Sequence, residues 1–426
     1  MILFLIIISS ILIYHICNNQ SVRLLTLSFS SLAVYYHYVS NNIIYVIALI
    51  FLTLLFKELL YRKLIRRSIL FILYICSCVL LFICGKFISN FSIVLPIGYS
   101  VVMFSGISLV IDESRYNYRF SNLETFAYLL FFPKILAGPI ERSNNFITQL
   151  KKTENNQVIS NIYIGFKITV FGCFIKYVLT DNLIKYAYID FNGTNQFMSI
   201  LLYAILFYFD FWAYSLIAVG ISKLYGIDIM MNFNNPYSAG SFKDFWNKWN
   251  ISLTSWLKDY IFIPLQKRGK TSRTTNVFIV FMVSAIWHGI TLPFFIWGLT
   301  HALFNIIEKR SISVSIMKSK LYNLFVILIC AFLWQTFRVT RVDELYYQFR
   351  KIFSSEIIDY TLLIILSLSI LLLFIFERKW FKHYIMDIKG FKKKEILFEV
   401  GIISVMLLSL LCFNTNLNSP FHYFKY

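Results

Sequence analysis

Residues 197–222 read FMSILLYAILFYFDFWAYSLIAVGIS, an apolar run long enough to cross a bilayer as one helix. A hydrocarbon core of about 30 Å takes about 20 helical residues. Runs of like character recur over 2–17, 22–40, 43–57, 67–85, 91–111, 124–139, 161–180, 274–289, 292–307, 320–337, 360–376 and 396–413. The shorter ones read as tilted, re-entrant or covered by neighbours, which leaves roughly ten to twelve true crossings. The expected fold class is therefore all-α: a polytopic membrane protein with re-entrant and amphipathic helices beside its transmembrane ones.

Composition agrees. Of 426 residues, 58% are hydrophobic and 19% aromatic, while 14% are charged. A soluble domain carries about 25% charged residues, so a string of water-soluble domains is excluded. The formal charge of +19 comes from 40 Lys and Arg against 21 Asp and Glu. These bases sit mostly in short loops, as in Arg62-Lys63, Arg66-Arg67 and Lys392-Lys393-Lys394. That placement fits cytoplasmic retention and anionic lipid, not nucleic acid. Loop 58–67 is basic and loop 41–42 uncharged, which puts the N-terminus outside and loop 112–123, with Arg115 and Arg119, inside. Loop 377–395 is basic and reads as cytoplasmic, leaving the C-terminus outside. No basic region precedes Ile2, so the first run reads as a retained span and not a cleaved signal. Cys17, Cys76, Cys78, Cys84, Cys173, Cys330 and Cys412 lie mostly in apolar runs and read as small buried hydrophobes. Without a repeat or a polar linker, 1–426 reads as a single integral membrane domain.

The stretch 230–273 breaks the apolar pattern. Asn232, Asn234, Asn235 and Pro236 form a turn-rich entry, and Ser241 with Asp244 has capping-box spacing. Phe242, Phe245, Trp249, Leu253, Trp256 and Tyr260 then recur at three- and four-residue steps, predicting an amphipathic helix of about five turns. Its other side carries Lys243, Asn247, Lys248, Asn250 and Thr254, too polar for bare lipid. Two readings stand: a structural interface helix, or the wall of a buried polar site. Lys267, Arg268, Lys270 and Arg273 follow, suited either to a phosphate-bearing substrate or to lipid headgroups.

His288, in Ser284-Ala-Ile-Trp287-His288-Gly289, ends one apolar run just before another. An ionisable group there is costly and usually faces a cavity or a partner. Gly289 and Pro293 predict a bend that presents the imidazole to a hollow; a core histidine satisfied by one hydrogen bond fits the spacing equally well. His301, in Trp297-Gly-Leu-Thr-His301, is a candidate to face the same interior, whereas His15, His37, His383 and His422 lie near chain ends or loops. No His/Cys/Asp set has metal-ligand spacing, and hydrolase elbows, phosphate loops and dinucleotide fingerprints are missing from the sequence.

Taken in order, these segments resemble the membrane-bound O-acyltransferase (MBOAT) family. The likeness covers most of 95–345, the expected catalytic core. It runs through Leu95-Pro-Ile-Gly98 to Ser108, Phe131-Phe-Pro133, and Ala137-Gly-Pro139-Ile140-Glu141-Arg142. It continues with Asn235-Pro236-Tyr237, Phe245-Trp246-Asn-Lys-Trp249-Asn250-Ile-Ser252, Trp256-Leu-Lys-Asp259-Tyr260, Trp287-His288-Gly289, Trp297-Gly298, and Trp334 with Phe337-Arg338. The branch it is most similar to is the bacterial alginate and polysaccharide O-acetyltransferases, with the teichoic acid D-alanyltransferase as a relative. The resemblance implies a fold built around a central tunnel. A cytoplasmic acyl thioester (acetyl-CoA, or an acyl or D-alanyl carrier protein) would meet there an extracytoplasmic polysaccharide hydroxyl or an SGNH-type partner that completes delivery. It implies a bacterial cytoplasmic membrane and no permanently bound cofactor.

By resemblance His288 is the catalytic histidine. Asn250 falls on the second active-site position, which holds Asn in many animal members and usually His in bacterial polysaccharide acetylators. Trp249, Lys258, Asp259, Trp287, His301 and Arg338 are the site-shaping and binding candidates, with Glu141 and Arg142 nearby in the motif order. A D-alanyl transferase and a polytopic transporter with a buried histidine are the competing readings. The transporter should show paired halves with interrupted segments at matching places, and the sequence has none.

Overall fold

The computed structural model describes residues 2–39, 43–63, 65–88, 98–135, 138–151, 157–189, 191–317, 319–354, 357–378 and 393–413. Leu95, Pro96, Ile97, Ala137, His383, Lys392 and His422 lie outside them. All regular structure among the described residues is helical, as expected of an all-α membrane protein. The chain forms two compact units, Met1–Thr169 with Ile217–Met230, and Val170–Leu216 with Met231–Tyr426.

In the first unit, helices Ile2–Ile16 and Gln20–Val39 pack as a hairpin, followed by Ile43–Arg62, Arg67–Ile88 and Tyr99–Tyr116. Gly106 lets the last of these lie close to its neighbours: a Cβ there would stand 2.7 Å from the Tyr74 hydroxyl and 2.8 Å from Thr53 Oγ1. Lys57, buried in this layer, donates to Phe120 O at 2.6 Å and Thr125 Oγ1 at 2.7 Å, with Glu113 at 4.0 Å. Hydrogen bonds to the ammonium make so deep a charge tolerable. Glu141 is occupied structurally. Its carboxylate accepts from Arg142 N (2.9 Å), Asn145 Nδ2 (3.1 Å) and Met230 N (2.5 Å). His15, ranked low above, bonds the Leu224 carbonyl at 2.8 Å.

The count of crossings differs from expectation. Among the described residues four helices are long and apolar enough to span a membrane: Ile43–Arg62, Val158–Ala187, Gly193–Leu224 and Lys320–Phe337. Leu5–Ile16, Arg67–Leu81, Tyr360–Phe376 and Val400–Cys412 are shorter apolar helices. One of the expected runs, 124–139, is interrupted within itself. A full capping box of Ser121 and Glu124 starts Asn122–Leu130, but Phe131 leaves the helical region and a four-residue helix, Phe132–Ile135, follows. Pro133 has no N–H to bond back to Leu129 and its ring crowds that turn, so one apolar run becomes two pieces, with the break at Phe131. The cysteines also divide: Cys78 and Cys330 are buried, whereas Cys76 and Cys412 are exposed.

The helix Val158–Cys173 runs on from the first unit and passes, in the second, into a π-helical turn, Phe174–Thr180. Lys176 on this turn is fully buried and donates to Asp210 Oδ1 at 2.8 Å and Asp181 Oδ1 at 2.6 Å. The expected five-turn amphipathic helix is also divided. Phe242–Lys248 and Ile251–Leu257 are separate helices, followed by a π-helical turn Lys258–Phe262 and the helix Ile263–Arg268. The break lies at Asn250, whose left-handed backbone (φ 43°, ψ 54°) Asn tolerates better than most residues. Two backbone bonds fix it: Asn234 N to Lys248 O (3.0 Å) and Ile251 N to Asn232 O (2.9 Å). The turn-rich Asn232–Asn235 segment thus supplies partners that a continuous helix would have found in itself.

Candidate active site

His288 is the last residue of the Arg273–His288 helix, and Gly289 ends it. Leu292–Ser311 begins within a few residues, with Pro293 in its first turn, where a missing N–H costs nothing. Gly289 is extended (φ 172°), so its backbone does not demand glycine. The demand comes from packing, since a Cβ would stand 2.8 Å from the Phe294 ring. The sharp return lays the two helices together and holds the half-buried His288 ring among aromatic side chains. Its centroid lies 4.4 Å from Trp287, 4.9 Å from Phe337 (81°), 5.1 Å from Trp297 (84°) and 5.8 Å from Phe294 (25°).

The short helix Phe242–Lys248 brings the other side of this wall. Ser241 Oγ accepts from Asp244 N at 2.9 Å, while Asp244 reaches back to Gly240 N (3.0 Å), one residue beyond the usual box. Glu308, a residue sequence reasoning missed, accepts from Phe242 N (2.8 Å), Lys243 N (3.2 Å) and the Tyr322 hydroxyl (2.8 Å). A buried carboxylate on orphan amides sits where the helix dipole favours it. So anchored, the helix presents Trp246 and Trp249. Trp249 stacks on Trp334 at 4.5 Å, Trp334 meets Phe337 at 5.5 Å, and Phe337 meets His288. Asn250 follows Trp249, buried, and its side-chain amide makes no hydrogen bond among the described residues.

His301 lies fully buried one aromatic ring away from His288, with Trp297 between the two histidines. Trp246 Nε1 donates to His301 Nδ1 at 3.3 Å. Arg338 points elsewhere than its motif neighbour Phe337: its guanidinium is 5.0 Å from both the Tyr188 and Tyr203 rings and donates to Gln335 Oε1 at 2.9 Å. Lys258 is exposed on the π-helical turn and Asp259 half-buried beside it; the turn packs on the His288 helix. Lys267, Arg268, Lys270 and Arg273 are exposed, and Arg310 joins them through Thr274 Oγ1 at 3.1 Å. Thus Trp249, Trp287, His288 and His301 share one aromatic cluster, which Asn250 adjoins through the chain. Among the described residues no three His, Cys, Asp or Glu side chains gather as a metal set. The Lys176–Asp210–Asp181 group had a signal in the sequence: Asp210 is the single charge of 197–222 and Lys176 one of two lysines in 161–180, and such charges in apolar runs favour meeting.

The family model of the membrane-bound O-acyltransferases matches residues 3–315. The chain belongs to that family. Its fold class, its membrane-embedded character and its place among O-acyltransferases follow from this membership. The matched range takes in Asn250, His288 and His301 and stops short of Trp334–Arg338. Among curated relatives, the peptidoglycan O-acetyltransferase of Helicobacter pylori is 36% identical over 186 residues, 41% of this chain and 35% of that protein. The probable alginate O-acetylase AlgI of Azotobacter vinelandii is 31% identical over 274 residues, 62% and 54%. The teichoic acid D-alanyltransferase of Bacillus subtilis is 29% identical over 235 residues, 50% and 60%. The chain thus spans between about a third and three-fifths of the length of these relatives.

Proposed function

We propose that this MBOAT protein moves an acetyl group from a thioester donor supplied at the cytoplasmic side to hydroxyls of an extracytoplasmic polysaccharide, or to an SGNH-type partner that delivers it. The observation that carries the reading is the half-buried imidazole of His288, held at a helix end by an aromatic wall within the family-matched range. The acceptor hydroxyl gives its proton to His288 as its oxygen bonds to the acyl carbon. The carbonyl oxygen then carries negative charge until the C–S bond breaks and the sulfur takes the proton back from His288. The C-terminal end of a helix is a place where the transient positive charge is stabilised. The buried amide of Asn250 serves as a donor near the reacting carbonyl. Apolar rings around the base keep out water, which would compete as nucleophile.

In this reading 1–426 works as one acyltransferase domain with 95–345 its core, lying in a bacterial cytoplasmic membrane with the N-terminus outside. Trp249 and Trp287 line the tunnel, and Lys258, Asp259 and Arg338 shape its mouth and floor. The exposed cations from Lys267 to Arg273 suit the phosphates of the thioester's carrier. A second reading, D-alanyl transfer from a carrier-protein thioester, is favoured by the coverage of the D-alanyltransferase relatives, 60% and 55% of their lengths.

The test uses purified full-length protein in lipid nanodiscs, given labelled acetyl-CoA or a D-alanyl carrier-protein thioester with glycan acceptors. Wild type should transfer from one donor, and His288→Ala should lose at least about 100-fold in rate while keeping its melting temperature. Undiminished transfer by the variant would remove His288 as the base.

A further inference from the structure

The aromatic wall holds three N–H groups, on His301, Trp297 and Trp334, that have no acceptor among the described residues. An indole N–H can only donate, so the bond from Trp246 Nε1 at 3.3 Å makes His301 Nδ1 the acceptor. The proton of the neutral imidazole is then on Nε2. That nitrogen is buried and has no hydrogen-bond partner among the described residues, and Trp297 Nε1 and Trp334 Nε1 are in the same condition; of the two indoles, Trp297 is the one in ring contact with His288. The His301 and Trp297 rings stand edge to face, 5.2 Å apart at 71°, and Trp297 is in turn 5.1 Å from His288. Buried donors in folded proteins are nearly always paired, so His301 Nε2 and Trp297 Nε1, beside the proposed base, call for an acceptor outside the described residues.

The chemistry of that acceptor is restricted. A trapped water would need sites for its own two hydrogens as well as these two donors. The rings around His301 are Trp246, Trp297, Phe281 and Trp334, which offer π faces but no oxygen. An oxygen that carries no hydrogen fits, and the acyl-transfer reaction brings one. The geometry points to His301 Nε2–H and Trp297 Nε1–H as the donor pair for the carbonyl oxygen of the acyl thioester, with Trp246 a positioning residue that fixes the tautomer of His301. As the acceptor oxygen bonds to the acyl carbon, the C=O π pair moves onto this oxygen and the two N–H groups hold it. The pair returns as the C–S bond breaks, and the sulfur leaves with the proton carried by His288. This assignment rests on the acyltransferase reading above.

The experiment compares wild type, His301→Phe, His301→Gln, Trp297→Phe and Trp246→Phe as full-length protein in nanodiscs, with acetyl-CoA and a glycan oligosaccharide. His301→Phe and Trp297→Phe should each lower kcat by about 100-fold with KM changed less than about threefold, as loss of one oxyanion donor does elsewhere. His301→Gln, which keeps an N–H, should recover part of the loss, and Trp246→Phe should lower kcat by less than His301→Phe. A second measurement does not need turnover. In the His288→Ala background, bound acetyl-CoA labelled with ¹³C at its carbonyl should show that stretch below its free value, and adding His301→Phe should return it. Full kcat in His301→Phe, no recovery in His301→Gln, or an unshifted stretch overturns the donor-pair assignment while leaving acyl transfer intact. Wild type that transfers no acyl group from either donor overturns the acyltransferase reading, and this inference falls with it.

Discussion

At the scale of single residues, the conformation of Asn250 separates its backbone role from its chemical one. A left-handed residue with a side chain costs about 1 kcal/mol that glycine avoids. Asn250→Gly should therefore keep the melting temperature while losing the amide, and kcat should fall by about 10- to 100-fold if that amide assists the carbonyl. Asn250→Ala should show the same kinetic loss with a lower melting temperature. Kinetics beside a thermal melt distinguishes the two. Gly289 is the opposite case, because its backbone is ordinary and its surroundings are tight. Gly289→Ala must displace the Phe294 ring, which is stacked near His288 at 5.8 Å, so a lower melting temperature and a lower kcat should occur together.

At the scale of elements, the helix Phe242–Lys248 is two turns long and cannot stand on its own hydrogen bonding. Glu308 supplies what it lacks, taking two of its orphan amides and the Tyr322 hydroxyl. Glu308→Ala leaves those donors buried without an acceptor. It should destabilise the protein by about 3 kcal/mol or more, since buried donors without partners cost about 1–3 kcal/mol each. Because the same helix carries Trp246 and Trp249, increased protease cleavage within 241–260 should accompany the loss. Cleavage unchanged from wild type would show that packing alone holds the helix.

At the scale of the whole molecule, a chain with a formal charge of +19 still keeps a few charges inside apolar segments. Lys176, Asp210 and Asp181 are one such group, 2.6–2.8 Å apart across two apolar helices. Removing one member of a buried pair is worth about 3–5 kcal/mol, because the remaining charge is then uncompensated. Lys176→Met should therefore lower the yield of monodisperse protein extracted in mild detergent. A triple variant combining Lys176→Met with Asp181→Asn and Asp210→Asn leaves no charge in the group and should recover much of that yield. Size-exclusion profiles and thermal melts of the two proteins decide this; equal losses would mean the group acts through shape and not through charge.

The amino-acid sequence by itself determined that the chain is helical and membrane-embedded, because unbroken apolar runs leave the backbone only its own carbonyls to bond. It also carried the order of Trp, Asn and His positions by which the family is recognised, a pattern local enough to read along the chain. Long-range contacts decided the rest. Asn232–Asn235 reached across to interrupt the helix at Asn250, and Glu308 capped a helix more than sixty residues away. The donor left on His301 is of this kind as well: the tautomer depends on Trp246, fifty-five residues distant, and periodicity carries no information about which way an imidazole turns.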